Sequence, residues 1–147
     1  MRLYLLKQDD PLWSDIARFA ACCSWKAGPS LAREMRRGAF SDWERVIAAL
    51  DDDGSVMGYC TLARTDCIPD VPYTPYIGYM FVGEEYRGHR LSGKMIRCAA
   101  EYAAALGFRK LYLCSGERGL YEKYGFVKLE ERSDRWGSME QIFSLDL

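Results

Sequence analysis

The sequence predicts an α/β fold: a mixed, mostly antiparallel sheet flanked by helices, with one parallel strand–helix–strand crossover at its centre. Three observations predict it. Apolar runs of strand length interleave with stretches of helical periodicity. The tract Asp51-Asp52-Asp53-Gly54 separates two strand-like runs and reads as a hairpin turn. The apolar run Pro75–Val82 precedes a long amphipathic helix and then a second run, Arg109–Cys114, a connection that returns as a right-handed crossover between parallel strands.

The elements follow in order. Arg2–Lys7 is a short strand, and Asp10-Pro11 supplies a cap and a first-turn proline for the helix after it. Leu12, Ile16, Phe19, Ala20 and Cys23 give that helix one apolar face. Ser30 caps a shorter helix, LAREMRR, which Gly38 stops. Trp43–Leu50 and Ser55–Arg64 form the hairpin, and Pro69 and Pro72 mark Thr65–Thr74 as a loop. In the long helix Leu91, Met95, Ala99, Tyr102, Ala103 and Leu106 share a face, and Gly107 ends it. A short helix at Gly119–Tyr124 and strands at Phe126–Glu131 and Met139–Leu145 complete the chain.

With 147 residues the chain is long enough for one domain, spanning 1–147, with a real core. A formal net charge of -1 provides no overall field for nucleic acid, which is not an expected partner. No apolar run approaches the ~20 residues of a membrane span, and the N-terminus lacks the pattern of a signal peptide. The six cysteines include no C-x-x-C pair, which points to buried thiols in a reducing cytoplasm and to no metal site. The single histidine, His89, lies in a basic glycine turn, which argues against histidine-driven nucleophilic catalysis.

That turn, GHRLSGKM at Gly88–Met95, nearly fits G-x-x-x-x-G-K-[ST], the loop that holds nucleotide triphosphates. Met95, however, stands where a hydroxyl would ligate Mg²⁺, and a thioether suits that hard cation poorly. The same stretch serves a metal-free anion site. A strand ends, the turn exposes successive N–H groups, a helix begins, and Arg87, His89, Arg90 and Lys94 add positive potential. A pyrophosphate suits such a turn.

In this frame the sequence resembles the GCN5-related N-acetyltransferase (GNAT) family. The family motif Q/R-x-x-G-x-G/A falls on Arg87-Gly88-His89-Arg90-Leu91-Ser92, and LYEKYGF at Leu120–Phe126 is similar to the family's second signature. Arg90 replaces the middle glycine, so it needs a backbone without positive φ or accepts modest strain. Ser92 replaces the last small residue, and the segment after Cys114 lacks the asparagine that the family often places there.

The resemblance implies acetyl-coenzyme A as cosubstrate and direct acetyl transfer to a primary amine of a small molecule or peptide, by a monomer or homodimer. It implies a cofactor site built from Phe81 and Val82, the turn Arg87–Ser92 continuing through Gly93 and Lys94, and Cys114, Tyr121 and Tyr124. Tyr121 matches the tyrosine proposed to protonate the departing thiolate, with Tyr124 as the fallback. Many members carry a glutamate on the strand before the turn, but Tyr76-Ile77-Gly78-Tyr79 holds no acid. Glu44, Asp66 and Asp70 are the nearby carboxylates; each reads as a surface acid and none is assigned as the base. Trp25, Phe40, Trp43 and Asp70–Tyr76 are expected to shape the acceptor cleft. A non-catalytic acyl-coenzyme A sensor on the same fold is the alternative that the missing acid and asparagine suggest.

Overall fold

The computed structural model of the chain describes residues 1–147. Its strands are β1 (Arg2–Leu6), β2 (Arg45–Leu50), β3 (Val56–Ala63), β4 (Tyr76–Val82), β5 (Lys110–Ser115), β6 (Val127–Ser133) and β7 (Met139–Asp146). Its helices are α1 (Trp13–Cys22), α2 (Gly28–Arg36) and α3 (Leu91–Ala105), with single 3₁₀ turns at Glu84–Tyr86 and Tyr121–Tyr124. The strands form one sheet in the order β1-β2-β3-β4-β5-β7-β6. Every pairing is antiparallel except β4 with β5. The expected mixed sheet and central crossover are both present. No helix is long and apolar enough to cross a membrane.

Two cores sandwich the sheet. In β2, Val46, Ala48 and Leu50 face the core shared with α1 and α2, while Ile47 and Ala49 face the one shared with α3. This is why RVIAAL reads as a continuous apolar run: period-two alternation hides when both faces are covered. Burying each Val or Ile there contributes roughly 1.5–3 kcal/mol. From α3, Leu91, Met95, Ile96, Ala99 and Ala103 enter the second core. Tyr102 lies at the rim, where its hydroxyl donates to the Trp43 carbonyl at 3.0 Å, and Leu106 is exposed. Gly107, at φ +96°, takes the left-handed position after the helix.

The structure corrects both expected caps. The Asp10 carboxylate accepts the Lys7 N–H at 2.8 Å, and its carbonyl accepts Trp13 N–H at 3.0 Å. Asp10 thus closes the turn that leads into α1, and Pro11 precedes the helix. α2 starts earlier than expected, at Gly28, with Pro29 in its first turn. Ser30 is therefore helical, and its hydroxyl meets the Tyr79 hydroxyl at 3.0 Å. The thiols are also less buried than expected. Only Cys60 is fully enclosed, Cys22 is exposed at the end of α1, and Cys23, Cys67, Cys98 and Cys114 are half-buried. All six are free.

Candidate active site

β4 and β5 are registered only at Tyr76 with Tyr112 and Ile77 with Leu113. Beyond that point each strand stays with its antiparallel neighbour, β4 with β3 and β5 with β7, and the two part. A bulge drives the separation. Between Gly78 and Phe81, β4 carries one more residue than the facing stretch Tyr59–Thr61, and Tyr79 sits there at φ 48°. The gap opens into a cleft of about 1680 Å³, walled in part by Phe81, Val82, Leu113, Cys114, Tyr121 and Tyr124.

The glycine-arginine turn borders one end of this cleft. Gly88 at φ +84° and Arg90 at φ 61° both take left-handed backbone, so the strained alternative for Arg90 is the one adopted. The first main-chain bond of α3 runs from Lys94 N–H to the Arg90 carbonyl at 3.2 Å, and no side chain caps the helix. The N–H groups of Leu91, Ser92 and Gly93 are left to meet an anion, reinforced by the helix dipole. Arg87, Gly88, Arg90, Leu91 and Ser92 line the cleft; His89, Gly93 and Lys94 do not. Arg87 is held back toward the sheet, its Nε donating to the Val82 carbonyl at 2.9 Å. Gly93 has a packing reason instead: a Cβ there would lie 2.8 Å from the Tyr124 ring.

Ser92 and Tyr124 share a hydrogen bond of 2.8 Å between their hydroxyls. Tyr124 therefore braces the turn, whereas no side-chain hydrogen bond engages Tyr121. The Tyr121 ring packs on Phe126 and Phe143 at 6.2 and 6.1 Å between centroids. Burial, helped by Glu117, pushes its phenol up to about 12. It keeps its proton throughout the neutral range and is available as a hydrogen-bond donor.

The three nearby carboxylates separate sharply. Glu44 is fully occupied in holding its own loop: Oε1 accepts Ser41 N–H and Oγ–H at 2.7 and 2.9 Å, and Oε2 accepts Arg64 N–H at 2.7 Å. Asp70 does not line the cleft. Asp66 does, and its carboxylate lies over Gly78, 3.3 Å from where a Cβ on that glycine would stand. Its environment opposes ionisation. Burial is the largest effect, partly offset by the Cys67 N–H, and Glu140 and Glu34 repel a negative charge more than Arg135 attracts one, so the carboxyl is pushed up to about 7. One Asp66 carboxylate oxygen and the sulfurs of Cys67 and Cys114 lie within 4.8 Å of one another. The Tyr76 hydroxyl, buried beside Cys114, has no hydrogen-bond partner.

On the far side of the cleft Trp25 stacks on Phe81 with centroids 6.1 Å apart and planes 7° from parallel, and Phe40 also lines the wall. The other expected aromatics are elsewhere. Trp43 packs on Phe108 at 5.4 Å, and Tyr73 stacks on Tyr112 at 4.9 Å with its hydroxyl bonded to Glu130. In their place the β6–β7 hairpin brings Asp134, Arg135, Trp136 and Glu140 to the cleft. Arg135 ties this hairpin to the loop after β3, its N–H donating to the Cys67 carbonyl at 3.2 Å. No local signal in the sequence announces that approach. The bulge did have one, an isolated glycine inside a strand pattern at Gly78.

Comparison with known proteins gives a consistent picture. The model of the acetyltransferase (GNAT) family matches residues 12–126. The structure is similar to that of an aminoglycoside 6'-N-acetyltransferase complexed with coenzyme A, at 15% identity and a TM-score of 0.72, covering 99% of this chain and 97% of that one. It is also similar to a chimera of the spermidine N-acetyltransferase SpeG from Vibrio cholerae and hSSAT, at 14% identity and a TM-score of 0.69, covering 99% and 96%. No curated protein sequence matches the chain.

Proposed function

The chain belongs to the acetyltransferase (GNAT) family, and from that premise we propose that it transfers an acetyl group from acetyl-coenzyme A directly to a primary amine of a small molecule or peptide. The observation that carries this reading is the parting of β4 from β5 beside an uncapped helix N-terminus. The two features supply a slot for an extended pantetheine arm and an anion site for the pyrophosphate at its end.

The residues then take distinct roles. The N–H groups of Leu91 and Ser92, with Arg87 and Arg90, hold phosphate oxygens by charge-assisted hydrogen bonds. Phe81, Val82 and Cys114 flank the thioester, whose carbonyl oxygen gains negative charge in the tetrahedral intermediate and is stabilised by a main-chain N–H of bulged β4. Tyr121 donates a hydrogen bond to the departing sulfur. Its phenol is a weaker acid than a free thiol of pKa ~8.5, so it stabilises the thiolate by donation, and full proton transfer from tyrosine is not required. The aromatic wall of Trp25 and Phe81 suits the apolar and cationic parts of an amine.

Two assays test this together. Acetyl-coenzyme A and coenzyme A are expected to raise the melting temperature, and thiol is expected to appear with at least one class in a panel of amines. Binding without turnover across that panel favours an acyl-coenzyme A sensor, and no binding of either nucleotide overturns both.

A further inference from the structure

The structure assigns Asp66 as the general base that deprotonates the acceptor amine, a carboxylate delivered by the loop after β3 into the place that a side chain on β4 would occupy. The assignment rests on the acetyltransferase reading and names a catalytic residue for it.

Geometry carries the assignment. Gly78 presents no side chain, and a Cβ on it would meet Thr61 Oγ1 at 3.1 Å and Asp66 Oδ1 at 3.3 Å. The vacant position on the strand is thus filled from the side by the Asp66 carboxylate. With the thioester flanked by Cys114, as proposed above, that carboxylate is also near the reacting centre. It lies within 4.8 Å of the sulfur of Cys114, on the strand that forms the opposite edge of the β4–β5 gap. It makes no salt bridge, the ion pairs of the chain all involving other acids. A carboxylate locked to a cation would be a poor proton acceptor; this one is paired with none.

The groups facing Asp66 explain why it retains affinity for a proton. Cys67 follows it on the loop, Cys114 faces it from β5, Tyr76 and Tyr79 from β4, Glu140 from β7, and Glu34 from α2. Arg135, at the tip of the β6–β7 hairpin, is the one nearby cation, and it donates to the Asp66 main-chain carbonyl at 3.4 Å. Burial and the two glutamates outweigh it. A base whose proton affinity lies near the working pH is well matched to general-base work.

The step balances as follows. The amine arrives as an ammonium ion, and Asp66 takes one proton. The nitrogen lone pair attacks the thioester carbon, forming C–N while the carbonyl π pair moves to oxygen. Collapse of the intermediate breaks C–S, and the bonding pair leaves on sulfur. The second nitrogen proton ends on that sulfur, yielding amide and free thiol, and Asp66 later releases its proton to water.

The test is a pH profile of thiol release by the wild type and Asp66→Asn, with a strongly basic amine and with one already neutral at pH 7. The wild type is expected to show kcat rising through about pH 7 and then levelling. Asp66→Asn is expected to lose 10²–10⁴-fold in kcat with the basic amine. Its rate should climb with the amine's own ionisation instead of levelling, and the deficit should shrink at least tenfold with the weakly basic amine. Acetyl-coenzyme A affinity should be unchanged. If Asp66→Asn keeps both the rate and the limb near pH 7, the assignment is wrong while the acetyltransferase reading stands. If the wild type binds acetyl-coenzyme A but acetylates no amine, the reading itself falls and the assignment with it. If the variant does not fold, the wild-type profile decides: a rate with no limb near pH 7 overturns the assignment.

Discussion

Asp66 and Gly78 share one site: the carboxylate oxygen of the first lies 3.3 Å from the position that a Cβ on the second would take. Adding that methyl group forces Asp66 or Thr61 to move by a few tenths of an ångström. Gly78→Ala is therefore expected to lower kcat about tenfold, because misplacing a reacting group is costly. The affinity for acetyl-coenzyme A, measured by calorimetric titration, should stay within about twofold. Equal losses in affinity and kcat would instead indicate a general disturbance of β4.

Asp66 also makes the fold's stability depend on pH. Its carboxyl is raised from 3.8 in the open chain to about 7 in the fold, so the folded state binds the proton more tightly. The stabilisation from that proton is full in acid, falls as pH rises between these values, and is gone above the higher one. Asn carries no such charge. Asp66→Asn is thus expected to be more stable than the wild type at pH 8 by on the order of 4 kcal/mol, a difference that disappears below about pH 4. Urea unfolding at both pH values reads it directly. A variant more stable yet nearly inactive would mark the carboxylate as a group kept for function.

Much of the fold was legible because its signals are local. The turn Asp51–Gly54, the periodicity of α3 and the stop at Gly107 each depend on residues close in sequence. The caps were less legible: Asp satisfies local N–H groups in turns as well as at helix starts, and Asp10 does so one turn early, whereas Ser30 lies inside α2 and turns its hydroxyl to Tyr79. In the candidate site the turn from Arg87 to Ser92 was legible as the start of the long helix, and the structure sets it at the border of the cleft. Asp66 was not, because a carboxylate in a Pro-containing loop looks solvated until β4, β5 and the β6–β7 hairpin close around it. Glu140 and Trp136 come from a hairpin distant in sequence, and only tertiary packing brings them to the cleft.

Tyr121→Phe is expected to reduce kcat about 10- to 100-fold while leaving acetyl-coenzyme A affinity within about twofold, since in the proposed mechanism only the departing sulfur uses the hydroxyl. With the phenol pushed up to about 12, it stays protonated across the working range. The substitution should therefore remove no limb of the pH profile below about pH 10. Unchanged turnover would remove Tyr121 from the mechanism.

Arg90 occupies left-handed backbone at φ 61°, a conformation that glycine adopts without strain. Arg90→Gly is expected to raise the unfolding free energy by about 1 kcal/mol. Because the proposed role places the guanidinium on phosphate, the same change is expected to weaken acetyl-coenzyme A binding about tenfold, a loss that grows smaller as salt screens the contact. Unchanged affinity at low salt would show that the side chain turns to solvent.

The central claim, direct acetyl transfer to an amine, is tested most directly by counting products. Purified protein, acetyl-coenzyme A and a panel of primary amines are combined, and free thiol and acetylated amine are quantified by mass spectrometry in the same samples. The account predicts equal amounts of the two with the preferred amine class and neither without protein. Thiol release with no acetylated amine would mean hydrolysis, and no release from a protein that binds acetyl-coenzyme A would mean a sensor; either result contradicts the claim.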